Sequence, residues 1–291
     1  MDGTFKTVSP LFEQLYTIHG YLHGHVFPFV YCLMTRRTQM AYEMLFEEVL
    51  NFAADMGLAL NPKTVSTDFE LAAINAIRTL LPSSDVHGCL FHLCQSVWRR
   101  VQHLGLAVLY KNDVDGFAIK VRQLAALSFL PTEEVRDAYA SLKPLFPQEA
   151  SDLLRWWEDN YLLGKSRRRV AGGNSTVIIR SSPIFPPSLW NVLALTQDGF
   201  PRGNNAVEAW HRRWEILVGA QHLRVSRLIT TMKREQARVE DDIEGAIRGQ
   251  RRRLQNKKQK LRESRLAAAL ANRDNVDVLR FLRGIAHNLS V

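Results

Sequence analysis

Residues 1–100 switch repeatedly between two hydrophobic periods, and that alternation limits the folds open to the chain more than any other feature. Residues 11–20 and 26–35 are rich in β-branched and aromatic side chains, and the His- and Gly-rich stretch 20–25 between them reads as a hairpin loop. Residues 39–56 carry Met40, Met44, Leu45, Phe52 and Met56 at helical spacing among acids, which predicts an amphipathic helix with these residues on its apolar side. A short strand at 63–67, a helix at 70–81 stopped by Pro82, and another short strand at 85–90 follow. Hairpin strands followed by alternating helix and strand predict an α/β fold, a mixed β-sheet flanked by helices.

From 91 to about 190 the pattern is mostly helical, with candidates at 93–109, 114–127, 133–142 and 148–160. Residues 165–173 and 181–187 read as loops, one basic and one proline-rich, with a strand-like stretch at 176–180 between them. Residues 222–247 place Val225, Leu228, Met232, Val239 and Ile243 at helical spacing, a stripe that could pack on the body or join copies into a homo-oligomer. No apolar run approaches the roughly 20 residues of a membrane span, so no membrane role is expected. Three cysteines (Cys32, Cys89, Cys94) are too few and of the wrong parity for a disulfide scaffold, so a reducing compartment is expected.

The net charge of +9 is concentrated near the C-terminus. Between residues 248 and 265 six arginines and three lysines face the single Glu263. Arg251, Arg252, Arg253, Lys257, Lys258, Lys260 and Arg262 could neutralise nucleic-acid phosphates or act as a nuclear import signal. A solvated charged helix with no partner is the alternative.

The densest motif is Phe-Pro-Arg-Gly-Asn-Asn-Ala-Val-Glu-Ala-Trp-His at 200–211. Asn204-Asn205 suits the opening of a helix, and Glu208 then falls in its first turn. On an ideal helix Glu208, His211, Arg212 and Glu215 share one face, with Trp210 and Trp214 roughly opposite. A helix docked through its tryptophans would hold Glu208 rigidly, as a metal-dependent phosphoryl-transfer site requires. The alternative is an amphipathic helix with a solvated polar face.

Two more acids fit the same chemistry. Asp68 ends a β-prone run just before a helix, where open α/β sheets gather ligands, and Asp2 opens Asp-Gly-Thr-Phe-Lys. Three carboxylates could hold two Mg²⁺ ions for phosphodiester chemistry, although taken singly a helix cap at Asp68 and a turn at Asp2 explain each better than metal ligation does. Cys89 and His92 form a Cys-x-x-His in Gly-Cys-Leu-Phe-His-Leu-Cys-Gln. No second Cys/His pair lies at zinc-finger spacing, so a structural or orienting role is expected.

Asp-Gly-Thr-Phe-Lys, Thr-Asp-Phe-Glu, Gly-Cys-Leu-Phe-His-Leu-Cys-Gln and Pro-Arg-Gly-Asn-Asn-Ala-Val-Glu-Ala-Trp-His occur in an order that resembles the Mutator-like element (MULE) transposases. Phe185-Pro186-Pro187 through Trp190-Asn191 also resembles the approach to the last acid in animal members, which often carry a FLYWCH-type zinc finger upstream. The resemblance spans roughly residues 2–235 and implies a ribonuclease H-like fold with a D-D-E triad: Asp2 first, Asp68 second and Glu208 third. It also implies two Mg²⁺ or Mn²⁺ ions, double-stranded DNA as partner, cut-and-paste transposition and a nuclear location. Cys89 and His92 match the family's Cys-x-x-His. His211 fits its Glu-Ala-Trp-His, where it could contact phosphate or the third acid. The implied organisation is a core begun at 1–103, a helical insertion at 104–199, the returning helix at 200–221 and a basic helical tail at 222–291.

Family members build a central strand ahead of the first Asp, whereas only Met1 precedes Asp2 here. A truncated first strand is therefore expected, and with it the C-terminal part of a longer, degraded or domesticated transposase. The rival expectation is a catalytically inactive, transposase-derived DNA-binding or regulatory protein.

Overall fold

A hairpin organises the N-terminal region. β1 (Asp2–Thr4) pairs antiparallel with β2 (Gln14–Leu22), which pairs with β3 (His25–Met34). His23 and Gly24 form the two-residue loop, both with positive φ (47° and 82°), the backbone that matches the twist of paired strands. The pairing shifts register between Ile18 and His19, where Pro28, which has no N–H, faces His19. α1 (Gln39–Asp55) follows, opened by the Thr38 hydroxyl accepting from the Ala41 N–H. β4 (Thr64–Thr67), α2 (Leu71–Leu80) and β5 (Asp85–Gly88) come next, with β4 and β5 paired. The Met1 amine donates to the Ser66 carbonyl at 2.8 Å, tying β4 to the start of β1. One apolar core, including Tyr16, Tyr42, Phe46, Val65 and Ile77, joins hairpin, α1, β4 and α2.

This computed structural model describes residues 1–5, 7–171, 175–203, 205–219, 224–249 and 257–289. The chain divides into two compact units, Met1–Val86 with Asn204–Leu254 and His87–Gly203 with Gln255–Val291.

The second unit is largely helical: α3 (Leu90–His103), α4 (Ala107–Lys111), α5 (Phe117–Ala126), α6 (Val135–Leu142) and α7 (Ser151–Trp157). α5 is buried on almost every side, as its run of Phe117, Ile119, Val121 and Leu124 dictates. Residues 165–173, which read as a loop in the sequence, instead supply β6 (Ser166–Ala171), which pairs with β7 (Ser175–Arg180). A hairpin partner satisfies the backbone whatever the composition, so the basic sequence does not prevent a strand. The short helices α8 (Pro187–Trp190) and α9 (Leu193–Gln197) follow.

The chain then returns to the first unit through α10 (Asn205–Val218) and α11 (Val225–Ile247), and α12 (Lys257–Ala271) and α13 (Val278–Ala286) complete the second. Asn204, expected to open α10, lies outside the described residues. α11 packs on β3 through Leu228 and Val239, so much of the stripe read from its sequence faces the body. The apolar side of α1 differs from its reading. Leu45 is buried, but Met40, Met44, Phe52 and Met56 are exposed, and Tyr42 and Phe46 face the core. Both stripes have helical spacing, and the aromatic one fits against Tyr16, with the Tyr16 and Tyr42 rings 5.0 Å apart. Among the described residues no helix is long and apolar enough to cross a membrane.

Candidate active site

Asp2 is buried (7% exposed) on β1. Its Oδ1 accepts from the Gly3 N–H at 2.8 Å, and its carbonyl accepts from the Thr17 hydroxyl at 3.2 Å on the paired strand. Its Oδ2 lies 3.7 Å from His211 Nδ1 on α10. Gly3 is needed beside it, because a Cβ there would run into Gln14 Oε1. Gln14 is itself held, its Nε2 donating to the Tyr42 hydroxyl at 2.7 Å.

Asp68 follows the last residue of β4, where its Oδ1 accepts from the Glu70 N–H at 3.2 Å and the Thr67 hydroxyl at 3.4 Å. That is the local turn expected of an Asp ahead of a helix. Both aspartates act on Tyr16, which is fully buried. Burial raises its hydroxyl well above the usual range, with the Asp68 carboxylate next and Asp2 adding less.

Glu208 occupies the first turn of α10. Its helix is fixed by its tryptophans, as the sequence predicts: Trp210 and Trp214 stack 5.5 Å apart at 15° in a core with Leu15 and Leu228. Trp214 Nε1 donates to the Thr7 hydroxyl at 3.0 Å and Trp210 Nε1 to Glu235 Oε1 at 2.8 Å. Burial raises the Glu208 carboxyl above its ordinary value; Arg212 opposes the shift and Asp2 adds to it. Asp2 is thus the shared neighbour, acting on Glu208 and on Tyr16 while touching His211.

His211 lies beside the first acid, Asp2. Three residues that the sequence did not single out support this neighbourhood. His19 Nε2 lies 3.0 Å from the Thr17 hydroxyl, and its ring packs 5.5 Å from Trp210. Burial lowers the His19 pKa to about 2, with the Met1 amine and His211 adding like charge. Glu235, 2% exposed on α11, takes Trp210 together with Arg213 and Arg238 and so clamps α10 to α11. A sequence cue for Glu235 exists: it shares the apolar stripe of Leu228 and Val239. None marks His19 or Thr17, which matter through their cross-strand neighbours.

Three carboxylates offer hard oxygen donors, a set that suits Mg²⁺ or Mn²⁺. Among the described residues no group of three or more His, Cys, Asp or Glu side chains is already gathered closely enough to hold an ion. The partly dry setting that raises the Glu208 carboxyl disfavours its charge, and a bound cation would offset that.

Cys89 and His92 belong to the second unit, Cys89 buried just ahead of α3 and His92 in its first turn. Cys89, Cys94 and Cys32 are free of disulfides. Burial, then Cys89, pushes the Cys94 thiol up to about 12, which disfavours the thiolate that zinc needs. In the basic tail, Lys257, Lys260 and Arg262 are exposed on α12. Arg251, Arg252, Arg253 and the Lys258 side chain lie outside the described residues. Buried Leu266 and an Arg202–Glu263 ion pair (2.5 Å) hold α12 within its unit.

Residues 1–96 match the family model described as MULE transposase domain. No curated protein and no solved structure matches the chain.

Proposed function

We propose that the first unit is a ribonuclease H-like D-D-E domain of transposase type, which cuts double-stranded DNA and joins 3′-hydroxyl ends. Its transposase relationship rests on the family match over residues 1–96, which contains Asp2 and Asp68. The observation that supports the chemistry is electrostatic: Asp2 acts on Glu208, and Asp2 and Asp68 both act on the buried Tyr16, although the three carboxylates are not drawn together into a ready cation site. In this reading Asp2, Asp68 and Glu208 hold two Mg²⁺ or Mn²⁺ ions. Such ions, when bound, activate an attacking water or 3′-hydroxyl and stabilise the leaving oxygen.

The chain's own residues set the positions. The Gly3 N–H and His211 Nδ1 orient the Asp2 carboxylate, the Glu70 N–H fixes Asp68, and the tryptophan-anchored α10 holds Glu208. The low dielectric that raises Glu208 also strengthens its grip on a cation. DNA as substrate and the exposed cations of α12 support a nuclear location.

Mn²⁺ titration calorimetry and cleavage of a labelled duplex in Mn²⁺ test the reading with Asp68→Ala and Glu208→Ala. Each variant is expected to lose the tightest Mn²⁺ site and to cut more than ~100-fold more slowly, beyond what loss of an outer-shell partner causes. Undiminished cutting in either variant, with the fold intact by circular dichroism, would rule the triad out.

A further inference from the structure

The charges of α11 run against its own dipole. Its first ten residues and the residue before them carry Arg224, Arg227, Lys233 and Arg234 with no acid, whereas Glu240, Asp241, Asp242 and Glu244 crowd the C-terminal half. A helix is stabilised by the opposite order, with acids at its start and cations at its end. The N-terminal half therefore concentrates positive potential at some cost to the helix.

The two halves also differ in how their cations are used. Arg238 meets Glu235 and Asp242, and Arg248 meets Glu244. Arg227, Lys233 and Arg234 are exposed and form no ion pair among the described residues. Arg227 and Arg234, with Ser226, Thr230, Thr231 and Leu217 of α10, line an open cavity of ≈ 400 Å³ whose lining contains no acid among the described residues. Lys233 lies on another face of α11, lining a second depression beside Tyr31 and Met232.

We propose that this cavity seats the sugar-phosphate backbone of a DNA duplex, a contact separate from the carboxylate cluster; it rests on the transposase reading above. The Thr230 and Thr231 hydroxyls donate to the Ser226 and Arg227 carbonyls at 2.9 and 2.8 Å, so the two guanidiniums supply the grip on phosphate. Leu217 offers an apolar surface to the deoxyribose. Arg227 and Arg234 stand two turns apart, ~10.5 Å along the helix, close to the rise of three base pairs of B-DNA at ~3.4 Å each. Two guanidiniums two turns apart on one face suit a polymer with repeating phosphates better than a single small anion. Leu217 follows Glu208 by about two and a half turns of α10, which puts the cavity on the opposite side of that helix. The contact therefore positions DNA and takes no part in cleavage.

The test measures duplex binding by the full chain across a salt series for Arg227→Ala, Arg234→Ala, their double variant and Arg248→Ala. Arg248→Ala removes the same charge from the paired half of α11. Each of the first two is expected to weaken binding by about 5–10-fold at ~0.1 M salt. The double variant should flatten the slope of log K against log salt by about 2, because two phosphates are no longer neutralised. Arg248→Ala should leave both nearly unchanged, and Mn²⁺ binding should persist in all variants. Unchanged affinity and slope in the double variant overturns the α11 assignment and leaves the carboxylate reading standing. An equal loss with Arg248→Ala overturns it too, since net charge alone would then govern binding. Absence of salt-dependent duplex binding by the unaltered chain overturns both this contact and DNA as the substrate.

Discussion

The two units bury polarity differently. Among the described residues the first unit buries Asp2, Thr4, Thr7, Ser9, Gln14, Thr17, Thr67 and Glu235, whereas the second buries only Gln123, Ser128 and Glu158. In the second unit each polar group closes a packing seam. Ser128 donates to the Ala125 carbonyl, Gln123 to the Leu279 carbonyl, and Glu158 accepts from Tyr139 and Lys143. In the first unit Asp2, Thr4, Gln14, Thr17 and Thr67 lie on β1, β2 and the end of β4, with Thr7 and Ser9 in the loop between β1 and β2 and Glu235 on α11. A buried polar group left unpaired costs about 1–3 kcal/mol, so stability alone does not explain gathering so many in one place. The second unit holds its shape through apolar packing; the first interlocks many buried polar groups, and the candidate acid Asp2 lies among them.

The largest effect that tests this contrast is expected at Trp190. Its ring is fully buried beside Trp157, centroids 5.5 Å apart, and its Nε1 donates to the Tyr161 and Phe185 carbonyls at 3.0 Å. Trp190→Ala opens a large apolar cavity and strands those carbonyls, a loss of about 3–5 kcal/mol by urea unfolding. A loss below ~1 kcal/mol would mean that the second unit does not depend on this aromatic core, and the contrast would fail.

A smaller effect, with a distinct pH signature, is expected at His19. Its pKa falls from 6.5 in a free chain to about 2 in the folded one, through burial first. The folded state thus requires the neutral ring, and below pH 6.5 the unfolded chain takes up the proton first. This contribution is complete above pH 6.5 and is lost as pH falls toward about 2, on the order of 1 kcal/mol per pH unit. His19→Gln should flatten the acid limb of a stability–pH profile taken by thermal unfolding. The same slope in both proteins would show that the polar interior of the first unit tolerates charge at this position.

Sequence made much of the frame legible, because hairpin, α1, β4, α2, α10 and α11 each carry a period or a punctuating residue of their own. Trp210 and Trp214 announced the buried side of α10, and Glu208 its first turn. What stayed hidden depends on partners far away in the chain. β6 is a strand because β7 pairs with it, and His211 faces Asp2 because α10 packs across the hairpin. The position of Glu235 in an apolar stripe hints at burial, but its partners Trp210, Arg213 and Arg238 emerge only in the fold. Family resemblance named the three acids, while the shared role of Asp2 required coordinates.

The smallest effect concerns α1, where spacing alone pointed to the wrong stripe. Met44 is 61% exposed although it sits at a perfect helical interval from Met40. Periodicity reports that a helix has an apolar side but cannot choose between two such sides; ring volume and the shape of the sheet decide. Tyr42 and Phe46 win because they fill the space over Tyr16 that an unbranched Met would leave loosely packed. Met44→Lys should therefore change stability by no more than ~0.5 kcal/mol, whereas the same change at Phe46 would bury a charge. A destabilisation above ~2 kcal/mol for Met44→Lys would return the methionine stripe to the core and reverse the orientation of α1 on the sheet.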